Sequence, residues 1–193
     1  MDKEKRILLT AAAICVSICG YYIGRRIYMN AHTPDEYLIK KDNTPEYQQN
    51  VECAGYSSAY VLRHFGEDAH GLDLYNEIKK KNENGTVNPD AVISLLNKKG
   101  HSAALHLGDT RSLRYYISRG VPVIILCREK PGSEYLHYMA MVGYDKEKFY
   151  ASDSLSYMVN EHNSRYNRSV TENDLIQMWD IGYPVKNIFI TVK

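Results

Sequence analysis

The chain has 193 residues, with 24 lysines and arginines against 23 aspartates and glutamates, and its formal net charge is +1. This length is sufficient for one domain with its own hydrophobic core. Because positive and negative charges nearly balance, the net charge does not indicate a nucleic-acid partner. Four cysteines, two of them in an apolar N-terminal segment, do not form the disulfide framework of a small secreted protein.

The N-terminal segment is typical of export or membrane attachment. Residues 7–23 contain no charge, and basic residues flank them, including Arg25 and Arg26. The run lies at the short edge of the roughly 17–25 residues that a spanning helix needs. We therefore interpret residues 1–29 as a membrane anchor or a cleaved signal peptide, with the following domain outside the cytoplasm, either anchored or secreted. Residues 30–46, which contain Pro34 and Pro45, are predicted to be a linker.

The folded domain is predicted over residues 47–193, and its first half is predicted to be helical. Apolar residues recur at helical spacing after Cys53, and Gly66 supplies a stop, which places Cys53 at a helix N-terminus. Further helices are predicted at residues 72–81, after Asn88 with Pro89 in the first turn, and at residues 110–119.

The second half is predicted to be a sheet. Short β-branched or aromatic runs bounded by turn residues occupy residues 121–127, 135–144, 148–152 and 188–192. A hairpin link at residues 145–147 brings His137 and Asp153 within reach of each other. A capping box that begins at Thr171 predicts a late helix. Helices followed by antiparallel strands indicate the α+β class.

The order Gln, Cys, His, Asp along the chain is typical of a catalytic cysteine and the residues that assist it in catalysis. A thiol attacks a carbonyl as the thiolate, which a helix N-terminus and a neighbouring imidazolium favour. Cys53 is therefore the predicted nucleophile, His137 the general base and acid, and Asp153 the group that holds Nδ1 of the imidazole. Cys127, at the end of an isoleucine-rich strand, is predicted to be a core residue. No metal or other cofactor is predicted.

The residues around this set resemble a known family. The helix-opening cysteine after a glutamine, the strand His-Tyr-Met-Ala-Met-Val-Gly-Tyr-Asp and the run Tyr-Ala-Ser-Asp resemble papain-fold cysteine peptidases of the bacteriocin-processing type, which trim double-glycine leader peptides, in particular stand-alone C39-like members. The resemblance covers residues 47–192. It implies a papain-like fold whose helical half carries Cys53 and whose antiparallel half carries His137 and Asp153. Residues 166–179 also resemble the late helix of stand-alone members.

The chain departs from this family pattern at three places. Ala54 follows the cysteine where the family has glycine, and Ser154 follows Asp153 where proline is common. The family glutamine of the oxyanion hole lies six residues before the cysteine, whereas Gln48 and Gln49 lie five and four before it. Both are candidates for the oxyanion hole, and Gln48 is nearer to the usual spacing.

The predicted function is hydrolysis of peptide bonds, with a peptide or protein as substrate and the membrane as a partner of the N-terminal segment. A papain-like domain that binds peptides with little or no cleavage is one alternative. A cell-wall peptide hydrolase of the NlpC type is another, although such enzymes favour Asp-Cys-Ser-Gly where this chain has Glu-Cys-Ala-Gly.

Overall fold

The computed structural model describes residues 3–182 and 186–193. The chain divides into two compact units, Met1–Thr33 and Pro34–Lys193. The first unit contains helix α1, Lys3–Ala31, which continues past the uncharged run through Arg25 and Arg26. The predicted membrane-spanning anchor is not borne out: in the part of the chain that the structure describes, no helix combines the length and the apolar character needed to cross a bilayer.

The second unit contains a helical half built around α2, Cys53–Phe65. The helix ends at Gly66, whose φ of 96° is the left-handed conformation that glycine adopts without strain. Gly55 lets the next helix approach closely, because a Cβ at this position would lie 2.3 Å from the carbonyl oxygen of Gly71. The other helices of this unit are α3, Gly71–Glu77; α4, Pro89–Lys98; α5, Thr110–Ile117; and α6, Glu172–Trp179.

The second half of this unit is an antiparallel sheet, which has seven strands within the described residues. Its main path runs β2-β7-β3-β4-β5-β6, and β1 pairs with the far end of β4. The central strand β4 is buried at all but its first position. The strands are β1, Tyr37–Leu38; β2, Ala103–Leu107; β3, Val123–Arg128; β4, Leu136–Tyr144; β5, Lys148–Ser152; β6, Arg168–Thr171; and β7, Ile188–Val192.

Hydrophobic cores cover both faces of the sheet, because successive side chains of a strand point to opposite faces. On β3, Ile124 packs with Leu62 of α2 and with residues of α4, whereas Ile125 packs with Trp179 of α6 and with residues of α5. Helices first and antiparallel strands second confirm the predicted α+β class. The fold fixes the start of α2 against the start of β4, where the candidate site lies.

Several segments differ from the sequence-based expectation, and one is the helix predicted at residues 72–81, which ends at Glu77. Residues 37 and 38, within the predicted linker, form β1 and pair with Tyr144 and Gly143. Residues 166–179, which resemble a late helix, contain a strand before the helix, since β6 occupies Arg168–Thr171 and α6 begins at Glu172. The predicted cap of this helix is present, because Thr171 Oγ1 accepts a hydrogen bond from the backbone N–H of Asp174 at 3.1 Å.

Candidate active site

Cys53 is the first residue of α2 and is half-buried. The backbone N–H groups of Gly55 and Tyr56 both donate to the carbonyl oxygen of Glu52, which closes the first turn around the cysteine. The N–H of a first helical residue has no partner within its own helix, so Cys53 presents both a thiol and a backbone donor at the positive end of α2.

His137 lies on β4 and is only 3% exposed. Its Nε2 lies 2.7 Å from Oδ1 of Asp153, and its ring also interacts with the side chain of Cys53. The prediction that Asp153 holds Nδ1 is therefore wrong. Asp153 reaches the ring from the Nε2 side, because it lies at the end of the neighbouring strand β5.

Electrostatics favour a charged imidazole. Burial lowers the pKa of His137, but the charge and hydrogen bond of Asp153, together with Cys53, outweigh burial and raise that pKa above its usual range. Burial raises the pKa of Asp153, but His137 and Arg168 outweigh burial and lower it below its usual range. The pair is therefore an imidazolium and a carboxylate at neutral pH, which is the state that stabilises a nearby thiolate.

Two residues that the sequence interpretation missed hold Asp153 in place. Nη1 of Arg168 donates to Oδ2 of Asp153 at 2.5 Å, and its Nη2 donates to the carbonyl oxygen of Glu129. Asn167 clamps the backbone of the aspartate: its Oδ1 accepts from the N–H of Asp153 at 2.8 Å, and its Nδ2 donates to the carbonyl of Asp153 at 2.7 Å. Both residues are buried, which is unusual for arginine and asparagine. Their burial beside Asp153 indicates that they position this residue.

The two candidate glutamines differ in their surroundings. Gln48 is half-buried, and its backbone N–H donates to the carbonyl oxygen of Ser154 at 2.9 Å. Its side chain contacts the hydroxyl of Ser154 and the carbonyl oxygen of Asn50, each at 2.5 Å. Gln49 is exposed to solvent. The structure therefore connects Gln48, and not Gln49, to the loop that follows Asp153.

Cys127 lies near the site but differs chemically from Cys53. It is paired in register with His137, and its Sγ donates to the carbonyl oxygen of that residue at 3.7 Å. It is fully buried, and burial raises the pKa of its thiol. Both Cys53 and Cys127 are free thiols. Cys127 is a core residue, as predicted.

Three solved structures of similar fold are described as peptidases, proteases or peptidase domains. A structure described as a C39-like peptidase from Bacillus anthracis aligns with a TM-score of 0.62 at 19% identity, over 83% of this chain and 98% of that chain. The peptidase domain of Streptococcus ComA, a bifunctional ABC transporter of a quorum-sensing pathway, aligns with a TM-score of 0.59 at 18% identity, over 78% and 96%. A double-glycine-motif protease of an AMS/PCAT transporter, in complex with a leader peptide, aligns with a TM-score of 0.56 at 13% identity, over 79% and 91%.

Comparison of the sequence with known proteins and with protein families gave two results. No curated protein matches the chain by sequence. The family model described as the Peptidase_C39 like family matches residues 41–183, which include all the residues of the candidate site. The papain-like α+β fold agrees with the peptidase structures above. The chain belongs to the Peptidase_C39 like family.

Proposed function

We propose that this protein is a cysteine peptidase that hydrolyses peptide bonds with Cys53, His137 and Asp153. One observation carries the proposal: a buried histidine interacts both with a carboxylate and with a helix-opening cysteine. This is the arrangement of nucleophile, base and orienting group that activates a thiol. Membership in a family of peptidases supports the same assignment.

The proposed reaction begins with the thiolate of Cys53 and the imidazolium of His137. The thiolate forms a bond to the carbonyl carbon of the substrate, and the π electrons of the C=O bond move onto the oxygen. The intermediate then collapses: the C=O bond re-forms, the C–N bond breaks as the imidazolium protonates the leaving amine, and a thioester remains on Cys53. Neutral His137 next takes a proton from water, which attacks the thioester and releases the second product. Asp153 keeps the ring oriented through Nε2 at each step.

The tetrahedral intermediate needs hydrogen-bond donors for its oxyanion. We assign these to the backbone N–H of Cys53 and the side-chain amide of Gln48. The contacts between Gln48 and the loop after Asp153 support this choice over Gln49. A glutamine amide supplies a donor without adding charge, so it does not perturb the ion pair of Cys53 and His137.

The proposed substrates are peptides, and a peptide library tests this directly. The full chain is incubated with the library, and the cleavage sites are identified by mass spectrometry, with Cys53→Ala as the matched control. Cleavage by the wild type alone supports the peptidase. Peptides that bind without cleavage would favour the non-cleaving alternative, and cleavage of cell-wall peptides alone would favour the NlpC-type alternative.

The alkaline limb of the pH profile is expected to depend on Asp153. Burial lowers the pKa of His137, and the charge of Asp153 is the first of the influences that raise it, so we expect Asp153→Asn to lower this pKa. The imidazolium is then lost at lower pH, and the alkaline limb of kcat/KM shifts towards neutral pH. Activity falls less than in Cys53→Ala, because an amide still orients the ring. An unchanged alkaline limb would contradict the coupling between Asp153 and His137.

Cys127→Ser is expected to leave hydrolysis largely intact. The side chain is enclosed by the core and its thiol stays protonated, so it does not compete as a nucleophile. The measurement is kcat/KM per folded molecule on a peptide from the library, with folding checked by circular dichroism. A loss as large as that of Cys53→Ala would show that the reactive thiol had been assigned to the wrong cysteine.

A further inference from the structure

Two hydrogen bonds join Gln48 to Ser154 and connect the helical half of the fold to the sheet half. The backbone N–H of Gln48 donates to the carbonyl oxygen of Ser154 at 2.9 Å. The hydroxyl of Ser154 donates to Oε1 of Gln48 at 2.5 Å. Ser154 is buried and directly follows Asp153, at the position where proline is common in the family that the chain resembles. A proline side chain cannot make the second bond.

A neighbouring contact shows which end of the Gln48 amide faces Ser154. Nε2 of Gln48 lies 2.5 Å from the carbonyl oxygen of Asn50. A backbone carbonyl only accepts, so the nitrogen end of the amide faces Asn50 and the oxygen end faces Ser154. One N–H of the amide is used by Asn50, and the second is the donor that the proposed function assigns to the oxyanion.

We propose that Ser154 is a positioning residue for the oxyanion hole, acting through Gln48. The inference rests on the proposed function. The terminal torsion of a glutamine side chain is broad and nearly two-fold, so an amide without a fixed oxygen samples both orientations. In the wrong orientation it turns a lone pair, instead of an N–H, towards the developing negative charge. The Ser154 hydroxyl disfavours that orientation by donating to Oε1, and it adds to the contact that Nε2 makes with Asn50.

The test compares two reactions of the same thiol. Acylation of Cys53 by p-nitrophenyl acetate passes through a tetrahedral oxyanion, whereas alkylation by iodoacetamide is a displacement without one. The parent is the full chain with Cys15→Ser and Cys19→Ser, because both of these thiols are exposed. Cys127 is buried, so Cys53 is the thiol that both probes reach.

In this parent, Ser154→Ala is expected to slow acylation about tenfold, the effect of losing one hydrogen bond that acts in the transition state. Alkylation is expected to keep its rate, since the ion pair of Cys53 and His137 is unchanged. Ser154→Thr retains the hydroxyl and is expected to restore acylation. Ser156→Ala is the matched control, because Ser156 is an exposed serine two residues further on.

A double substitution separates positioning from a general structural role. After Gln48→Ala, the further change Ser154→Ala is expected to add no loss of acylation, because the group that Ser154 positions is gone. Additive losses, or equal losses of acylation and alkylation, would overturn the proposal. If Ser154→Ala does not fold by circular dichroism, Ser154→Gly takes its place, since it also lacks the hydroxyl. No acylation of Cys53 in the parent would overturn the proposed function itself, and with it this inference, before any change at Ser154.

Discussion

Replacement of Cys53 by alanine is expected to abolish hydrolysis, with a fall in kcat of about 10⁶, the order seen when the nucleophile of a hydrolase is removed. His137→Ala is expected to have a similar effect, because the thiolate then loses its counter-ion and the leaving amine loses its proton donor. Both variants are assayed by kcat on a peptide from the library.

The controls for this prediction distinguish chemistry from folding. His162 is an exposed histidine, so His162→Ala should retain full activity. His137 is buried, so the thermal unfolding of His137→Ala is measured beside its activity. Substantial turnover by folded Cys53→Ala would refute the cysteine-peptidase proposal.

Gln48→Ala is expected to lower kcat by about 10²–10³, the usual cost of removing one donor from an oxyanion hole. KM is expected to change little, because the lost interaction forms only in the transition state. The amide of Gln48 is held on both sides, by Ser154 and Asn50, so it needs no reorientation when the oxyanion forms. The measurement is kcat and KM on one peptide.

Gln49→Ala is the matched control, since it removes an identical side chain that is exposed to solvent. It is expected to cost far less than Gln48→Ala. The reverse order would move the oxyanion role to Gln49. Equal and small effects would mean that backbone groups alone stabilise the oxyanion.

Helices and strands that are defined by a short sequence pattern were predicted from the sequence. Helix α2 begins and ends at the predicted residues, 53 and 65, because an apolar helical repeat is followed by a glycine that adopts positive φ. Strands β5 and β7 have the predicted bounds, since each is a short apolar or aromatic run between turn residues. The family and the α+β class followed from the residues around Cys53 and His137 and are confirmed, whereas the catalytic roles stay predictions.

Features that depend on distant partners were not predictable in this way. Strand β1 has two residues and exists because β4 offers it a partner more than 100 residues later in the chain. Asn167 and Arg168 lie in a polar stretch without periodicity, and only the folded hairpin brings them to Asp153. The geometry of the strands likewise determines which ring nitrogen of His137 faces Asp153, and residue spacing along the sequence does not predict it.

The guanidinium of Arg168 sets the net charge of the site through the proposed reaction. In the ion-pair state proposed before attack, Arg168 and His137 would be cations while Asp153 and Cys53 would be anions, so the four charges would sum to zero. In the acylated state the imidazole and the thioester are neutral, and Arg168 with Asp153 again sums to zero. Without Arg168 both states would hold an uncompensated negative charge among buried groups, which is costly. The protein can therefore complete both halves of a turnover without recruiting a counter-ion from solvent.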